Sequence, residues 1–170
     1  MNLLSAFGFL STLLTGGIAL FELGVQWLAI KEASIPALIA VFTVFSGVYS
    51  KPLIAKLLLN EYMFKVELIY KKLRESEQTD VFKAKVGFAN KLLALTFIFS
   101  AVMNYGLAKW LVTSPAGTVA FNEELGHMTL MSYPVIVLPS MIMLGALMFY
   151  VAKVIKNLTG YKLTDLLIVQ

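Results

Sequence analysis

The chain has 170 residues, of which 59% are hydrophobic and 14% are charged, and its mean hydropathy is +0.81. So apolar a chain has too little polar surface to cover a soluble globule of its size, which excludes an ordinary soluble domain and indicates an integral membrane protein. It holds no cysteine, which excludes disulfides, thiolate nucleophiles and cysteine-ligated metal. Its formal net charge is +4, but the basic residues cluster between apolar runs, where lipid headgroups rather than nucleic acid are the expected partners.

A helix needs about 20 mostly apolar residues to cross the hydrocarbon core of a bilayer. Four stretches are of suitable length, at residues 3–21, 33–49, 86–110 and 128–151. The first has no basic leading segment, so we expect a retained span rather than a cleaved signal peptide. The sequence therefore predicts an all-α polytopic membrane protein, with one membrane domain over residues 1–170 and four transmembrane helices.

The connection at residues 51–85 is long, charged and helix-compatible. Its apolar residues recur at roughly helical spacing, and Glu67 and Lys71 have the i,i+4 spacing of an ion pair. We predict an amphipathic cytoplasmic helix on the inner leaflet, with apolar residues in the acyl boundary. A solvated loop helix, or a protein surface in place of the lipid, are the alternatives. The basic side chains predicted to contact the inner leaflet are Lys51, Lys56, Lys65, Lys71, Lys72 and Arg74.

The distribution of basic residues predicts the orientation. Of the 14 lysines and arginines, all but Lys31 and Lys109 lie in or next to the 51–85 connection or in the tail at residues 152–170. Basic residues are enriched on the cytoplasmic side of membrane proteins. We therefore expect both termini and the long connection to be cytoplasmic and the two short connections to face outward.

The second outward connection leads into the last span and carries Asn122, Glu123, Glu124 and His127. In a helix these acids lie three and four residues from the only histidine, so the side chains are able to converge. A transition-metal site takes three or four ligands, usually with more than one His or Cys, so we predict no metal here. Asn122 is instead a suitable N-cap, with both acids in the positive first turn. Contact of the acids and His127 with a headgroup or partner stays open.

Polar and proline residues within the spans indicate further contacts. Asn104 lies four residues after Ser100, and a membrane-embedded amide needs a partner, so we expect a helix-to-helix hydrogen bond, with substrate contact as the alternative. Pro134 and Pro139 each remove a backbone donor and predict a kink in the last span. Lys31 is expected to pair with the adjacent Glu32 near the membrane surface or to bind a polar headgroup.

Several short motifs give the chain a family resemblance. They are Gly16-Gly17 followed by an outward turn and Lys31, Ser-Lys-Pro-Leu-Ile at residues 50–54, and Ala-Val-Met-Asn-Tyr-Gly-Leu-Ala at residues 101–108. In these the chain resembles the bacterial intracellular septation protein A family. Residues 113–139 are more similar to that family's short uncharacterised relatives. The resemblance implies an inner-membrane protein linked to envelope synthesis and division through contacts with other membrane proteins.

Two functional hypotheses follow. The first is a non-enzymatic protein of the bacterial inner membrane that binds membrane lipids and other inner-membrane proteins in envelope maintenance or division, with homo-oligomers an open alternative. No nucleophile–base pair, phosphate loop or acid–base dyad is recognisable from spacing, so we expect neither an enzyme nor a cofactor. The second is a small transporter, or a fragment of one, that uses Asn104, the proline-containing span and the outward acids as a path.

Overall fold

The computed structural model describes residue 9 and residues 12–13, 24–49, 52–58 and 64–168. The predicted span at residues 3–21 lies almost entirely outside these residues. The described part is helical apart from turns and one isolated bridge, which confirms the all-α prediction. Three of its helices are long and apolar enough to cross a membrane, at Val25–Tyr49, Thr79–Leu111 and Val119–Thr159. Four spans are therefore not confirmed.

Helix α1 is Val25–Tyr49, and it begins eight residues before the span predicted at residues 33–49. The hydropathy pattern stopped at the charged pair Lys31 and Glu32, but the helix continues through both. The Lys31 ammonium lies 2.6 Å from the Glu32 carboxylate, and the two side chains are only 11% and 24% exposed. The pair is therefore formed and largely covered. The short connection expected between the first two predicted spans, at residues 22–32, is helical from Val25 onward.

Two short helices replace the single amphipathic helix predicted over residues 51–85. They are α2, at Leu53–Leu58, and α3, at Val66–Glu75. On α3 the side chains of Val66, Ile69 and Leu73 are buried within the protein, so this apolar face is not free to enter lipid. The Glu67–Lys71 pair is not among the ion pairs of the described residues, where Lys72 instead contacts Glu75 at 3.3 Å. The long inner-leaflet helix is therefore not confirmed.

Helix α4 is Thr79–Leu111, and it extends the span predicted at residues 86–110 by seven residues at its start. The extension carries exposed charges, with the Lys83 ammonium 3.0 Å from the Asp80 carboxylate. The turn before it places Glu77 at a φ of 54°, and the Gln78 N–H donates to the Leu73 carbonyl. This is the left-handed C-terminal turn that usually holds glycine.

The last helical run has three parts: α5 at Val119–Ser132, a π-helical segment at Tyr133–Val137, and α6 at Leu138–Thr159. At a rise of 1.5 Å per residue it is about 60 Å long, twice the thickness of the hydrocarbon core. Its ends therefore extend beyond the apolar stretch predicted at residues 128–151. Gly126 lies inside α5, although glycine is unfavourable in a helix interior.

The described chain divides into two compact units. The first, Met1–Ile39 with Phe97–Met141, has a core that joins the start of α1, the end of α4 and α5. Leu28, Ala29, Ala108 and Val112 are fully buried there, and Phe121 of α5 is nearly so.

The second unit is Ala40–Thr96 with Ile142–Gln170. Its fully buried residues include Ile69 and Leu73 of α3 and Ile155 of α6, and Tyr70 meets Phe82 edge to face. The chain after α6 is not a free tail. Leu167 forms an isolated bridge with Phe64, and the Lys65 N–H donates to the Leu166 carbonyl at 2.8 Å.

Candidate functional site

The second unit contains a buried amide side chain that bonds to two other helices. Asn90 of α4 is 2% exposed. Its Nδ2 donates to the backbone carbonyl of Thr43 in α1 at 2.7 Å, and its Oδ1 accepts from the backbone N–H of Ile54 in α2 at 3.2 Å. Because an unpaired buried amide costs free energy, both ends of this side chain need partners. Asn90 therefore joins three helices through one side chain.

Two neighbours of Asn90 complete this polar cluster. The Ser46 hydroxyl donates to the Thr43 carbonyl at 2.8 Å and accepts from the Leu53 N–H at 3.0 Å. Ser46 and Asn90 thus satisfy the first two N–H groups of α2, which have no partner inside the helix. A Cβ built on Gly47 would lie 2.8 Å from the Asn90 Nδ2, so a larger residue there would displace the amide. We call Thr43, Ser46, Gly47 and Asn90 the Asn90 cluster.

The Asn90 cluster was missed by sequence reasoning. Asn90 and Asn104 carry the same signal, an amide inside an apolar run. Thr43, Ser46 and Gly47 lie three and four residues apart on α1, which places small and polar groups on one helix face. That spacing, together with the amide of Asn90, is the sequence signal from which this cluster could have been predicted.

In the first unit Asn104 forms a hydrogen bond within its own helix. Its Nδ2 donates to the Ser100 carbonyl of the same helix at 2.7 Å. The contact to another helix is made instead by the Ser100 hydroxyl, whose Oγ lies 3.1 Å from the Oγ of Ser140 in α6. Among the described residues Ser100 therefore joins the two helices, whereas Asn104 bonds within its own helix.

The Glu124 carboxylate fixes the connection that precedes its own helix. Its Oε2 accepts from the backbone N–H groups of Ser114 and Thr113, both at 2.8 Å, and its Oε1 accepts from the Ser114 hydroxyl at 2.8 Å and the Thr113 hydroxyl at 3.2 Å. We call this arrangement the Glu124 clasp. It closes the turn between α4 and α5.

These hydrogen bonds also set the charge state of Glu124, which precedes the apolar stretch of its helix. The Ser114 N–H contributes most, followed by the Ser114 hydroxyl and the Thr113 N–H, and together they outweigh a small effect of burial. They lower the pKa of Glu124 from 4.5 to about 2, because each donor favours the charged carboxylate. The carboxylate therefore stays ionised at pH values at which an ordinary glutamate takes up a proton.

The other residues of the outward cluster have different roles from those predicted. The N-cap of α5 is Thr118, whose Oγ1 accepts from the Phe121 N–H at 3.1 Å, so the prediction of Asn122 as the cap is wrong. The side chains of Glu123 and His127 are exposed, and neither forms a side-chain hydrogen bond or ion pair with another described residue. No group of three His, Cys, Asp or Glu suited to a metal ion occurs in the part of the chain that the structure describes.

The prolines lie within a continuous helix. Pro134 has no N–H to donate to Leu130, and the Tyr133 N–H donates to that carbonyl instead. The Leu138 N–H then reaches back five residues to the Tyr133 carbonyl, the bond of a π-helix. Pro139 follows at the start of α6. Pro134 therefore coincides with a change of helix type, and the Leu130 carbonyl is not left free.

The basic residues predicted to contact lipid are displayed at the surface where they are described. Lys56, Lys65, Lys71, Lys72 and Arg74 are all exposed, whereas Lys51 lies outside the described residues. They are carried by α2, by the start of α3 and by its polar face.

Comparison of this chain with models of known protein families, with curated proteins and with solved structures found no match.

Proposed function

We propose that this chain is a non-enzymatic protein of a bacterial inner membrane that binds other membrane proteins or lipids in envelope maintenance or division. The resemblance in residues 50–54 and 101–108 to the septation protein A family suggests the cellular process. The observation that carries the molecular role is the use of polar groups within the apolar helices. Asn90 and Ser100 are engaged in joining helices, as expected of a framework that presents surfaces to partners.

The apolar surface of α1 supports a role in contacts within the membrane. Phe42, Phe45 and Val48 are each more than half exposed, although they lie in an apolar helix of 25 residues. Such side chains need lipid or another apolar helix around them. We expect a partner to bind at these positions.

Site-specific photo-crosslinking in native membranes tests this role. A photoreactive residue at Phe42 or Val48 should give a discrete protein adduct that mass spectrometry identifies as an envelope protein. The matched control is the same residue at Leu147, which is buried at 3% exposure and should give no adduct. Lipid adducts alone at every exposed position of α1 would contradict a protein partner on this helix.

We further propose that both termini and the α2–α3 region are cytoplasmic. Basic residues surround α2 and α3, whereas the connection from Val112 to Thr118 between α4 and α5 contains none. A reporter inserted near Arg74 should respond as cytoplasmic, and one inserted at Gly117 as external. The reverse result would overturn the orientation.

A small transporter is the second candidate, and the π-helical segment at Tyr133–Val137 favours it. Single π-helical turns inside α-helices occur frequently at functional sites. Proton flux into reconstituted vesicles, followed with an entrapped pH-sensitive dye, separates the two candidates. Under the first proposal Glu124→Gln and His127→Ala leave the flux unchanged from that of protein-free vesicles. A protein-dependent flux that either substitution abolishes would favour the transporter.

A further inference from the structure

The C-terminal end of α6 borders a groove of about 490 Å³ that combines two kinds of surface. Phe149, Ala152 and Leu163 supply apolar surface to it, and Phe149 is 71% exposed. Three lysines supply positive charge, and Asn157 and Thr164 supply uncharged polar groups. The lysines are Lys153, Lys156 and Lys162.

Helical spacing and one glycine produce this groove. Phe149, Lys153 and Lys156 lie at intervals of four and three residues, on one face of α6. Gly160 then has a φ of 79°, and its N–H donates to the Lys156 carbonyl at 2.8 Å, which ends the helix. The chain turns back, so that Lys162 and Leu163 form part of the same groove. Leu166, buried beyond this point, holds the returning segment in place.

The lysines of the groove carry uncompensated charge. No ion pair joins Lys153, Lys156 or Lys162 to an acid among the residues that the structure describes. The nearby Asp165 accepts from the Lys162 backbone N–H at 3.1 Å and from the Thr164 hydroxyl at 3.3 Å. Its carboxylate therefore contributes to the turn.

A second groove, of about 270 Å³, shares Lys153 and Asn157 with the first. It adds Lys85 from α4 and Tyr150, whose ring meets Phe88 edge to face. Lys85 is likewise exposed and has no ion pair with another described residue. Four lysines thus line the two grooves beside the last turns of α6.

We infer that these grooves bind the phosphate of an anionic phospholipid, with its acyl chain along Phe149. The inference rests on the proposed function, because the helix must lie in a bilayer for lipid to reach it. Charge complementarity favours an anion, since clustered basic residues next to a membrane span attract anionic headgroups. The apolar wall favours a lipid over free phosphate, because a free phosphate would use the lysines alone. No residue of α3 lines either groove.

Native mass spectrometry of the full chain in detergent tests the site. We expect phosphatidylglycerol to be retained more strongly than phosphatidylcholine. Lys153→Gln combined with Lys156→Gln should weaken phosphatidylglycerol binding at least about tenfold, given the attraction of each basic residue for an anionic headgroup. Lys153→Arg combined with Lys156→Arg should bind as the wild type does.

The matched control is Lys65→Gln combined with Lys71→Gln, which removes the same charge from the exposed side of the α3 region. We expect a change of less than about twofold there, because those lysines line neither groove. An equal loss of phosphatidylglycerol binding in the two double variants would mean that only the total charge matters, and would overturn the site. Equal binding of the two lipids, or complete displacement of phosphatidylglycerol by millimolar inorganic phosphate, would also overturn it.

Extraction of native membranes with alkaline carbonate separates this inference from the proposed function. If the chain resists extraction but shows no preference for phosphatidylglycerol, only the proposed phospholipid site is overturned. A chain released by carbonate is not integral to the membrane, and both the proposed function and the site are then overturned.

Discussion

The side-chain amide of Asn90 in α4 donates a hydrogen bond to the backbone carbonyl of Thr43 in α1, with 2.7 Å between nitrogen and oxygen. The same side chain accepts from Ile54 of α2. Replacing Asn90 with leucine removes both bonds and leaves the buried Ile54 N–H without its partner. We expect a loss of about 1–3 kcal/mol in the free energy of unfolding. Titration with dodecyl sulfate, followed by circular dichroism, measures it.

Asn104→Leu is the control for Asn90→Leu. That amide bonds within its own helix and is only half-buried, so we expect a loss below about 1 kcal/mol. Equal losses in the two variants would show that Asn90 is not a special junction.

Gly47 lies against the same amide, and alanine there should displace it. The added methyl group would lie 2.8 Å from the Asn90 nitrogen. We expect Gly47→Ala to destabilise the protein by about 1–3 kcal/mol, as overpacking of a tight site does. Gly145→Ala is the matched control, because a Cβ at Gly145 meets nothing within 4 Å. The same titration compares them, and the prediction fails if Gly47→Ala is tolerated as well as Gly145→Ala.

The Glu124 clasp should protect the backbone of the preceding turn. In Glu124→Gln one acceptor oxygen becomes an amide donor and faces the donors of Thr113 and Ser114. We expect hydrogen exchange at the Thr113 and Ser114 amides to accelerate several-fold, which deuterium labelling followed by mass spectrometry measures. Glu123→Gln changes the adjacent and exposed acid in the same way, and should leave both amides as slow as in the wild type. Acceleration in both variants would argue against the clasp.

The stability that the clasp supplies should depend on pH in one direction. The pKa of Glu124 is about 2 in the folded protein against an ordinary value of 4.5, so the unfolded chain binds more protons between these values. The contribution is therefore complete above pH 4.5 and is lost as the pH falls towards 2. The Thr113 and Ser114 amides, corrected for intrinsic exchange, should lose their extra protection over Glu124→Gln across this range. Loss of that difference between pH 7 and 5 would contradict the assignment.

Glu77 offers a stabilising substitution. Its φ of 54° lies in the left-handed region, which costs free energy for a residue that has a Cβ. We expect Glu77→Gly to raise the free energy of unfolding by up to about 1 kcal/mol. Glu67→Gly makes the same change inside α3 and should instead cost about 1 kcal/mol. Destabilisation by both would mean that the Glu77 side chain makes a contribution larger than the strain.

The sequence allowed prediction of the helices more readily than of their ends. Hydropathy detects residues that suit lipid, whereas a helix ends where its hydrogen bonding ends. α1 therefore includes Lys31 and Glu32, which neutralise each other, and α4 begins in the charged turn at Thr79. Local periodicity indicated the apolar face of α3 but could not show that protein, rather than lipid, covers Ile69.

The polar contacts were less predictable because each depends on a partner elsewhere in the chain. Asn90 and Asn104 look alike in sequence, and only the position of Thr43, 47 residues away, distinguishes the junction from the back-bonded amide. Thr118 and Asn122 are both good cap residues. The helix is capped by Thr118, and Glu124 in its second turn accepts a hydrogen bond from Ser114.

The Glu124 clasp also bears on the order in which the chain assembles. Glu124 and Thr113 are 11 residues apart, so their contact closes a small loop and costs less chain entropy than the 47-residue closure between Asn90 and Thr43. The Glu124 clasp therefore forms within the short segment that connects α4 to the start of α5. All the groups of the Glu124 clasp lie between Thr113 and Glu124, so its formation does not require α6.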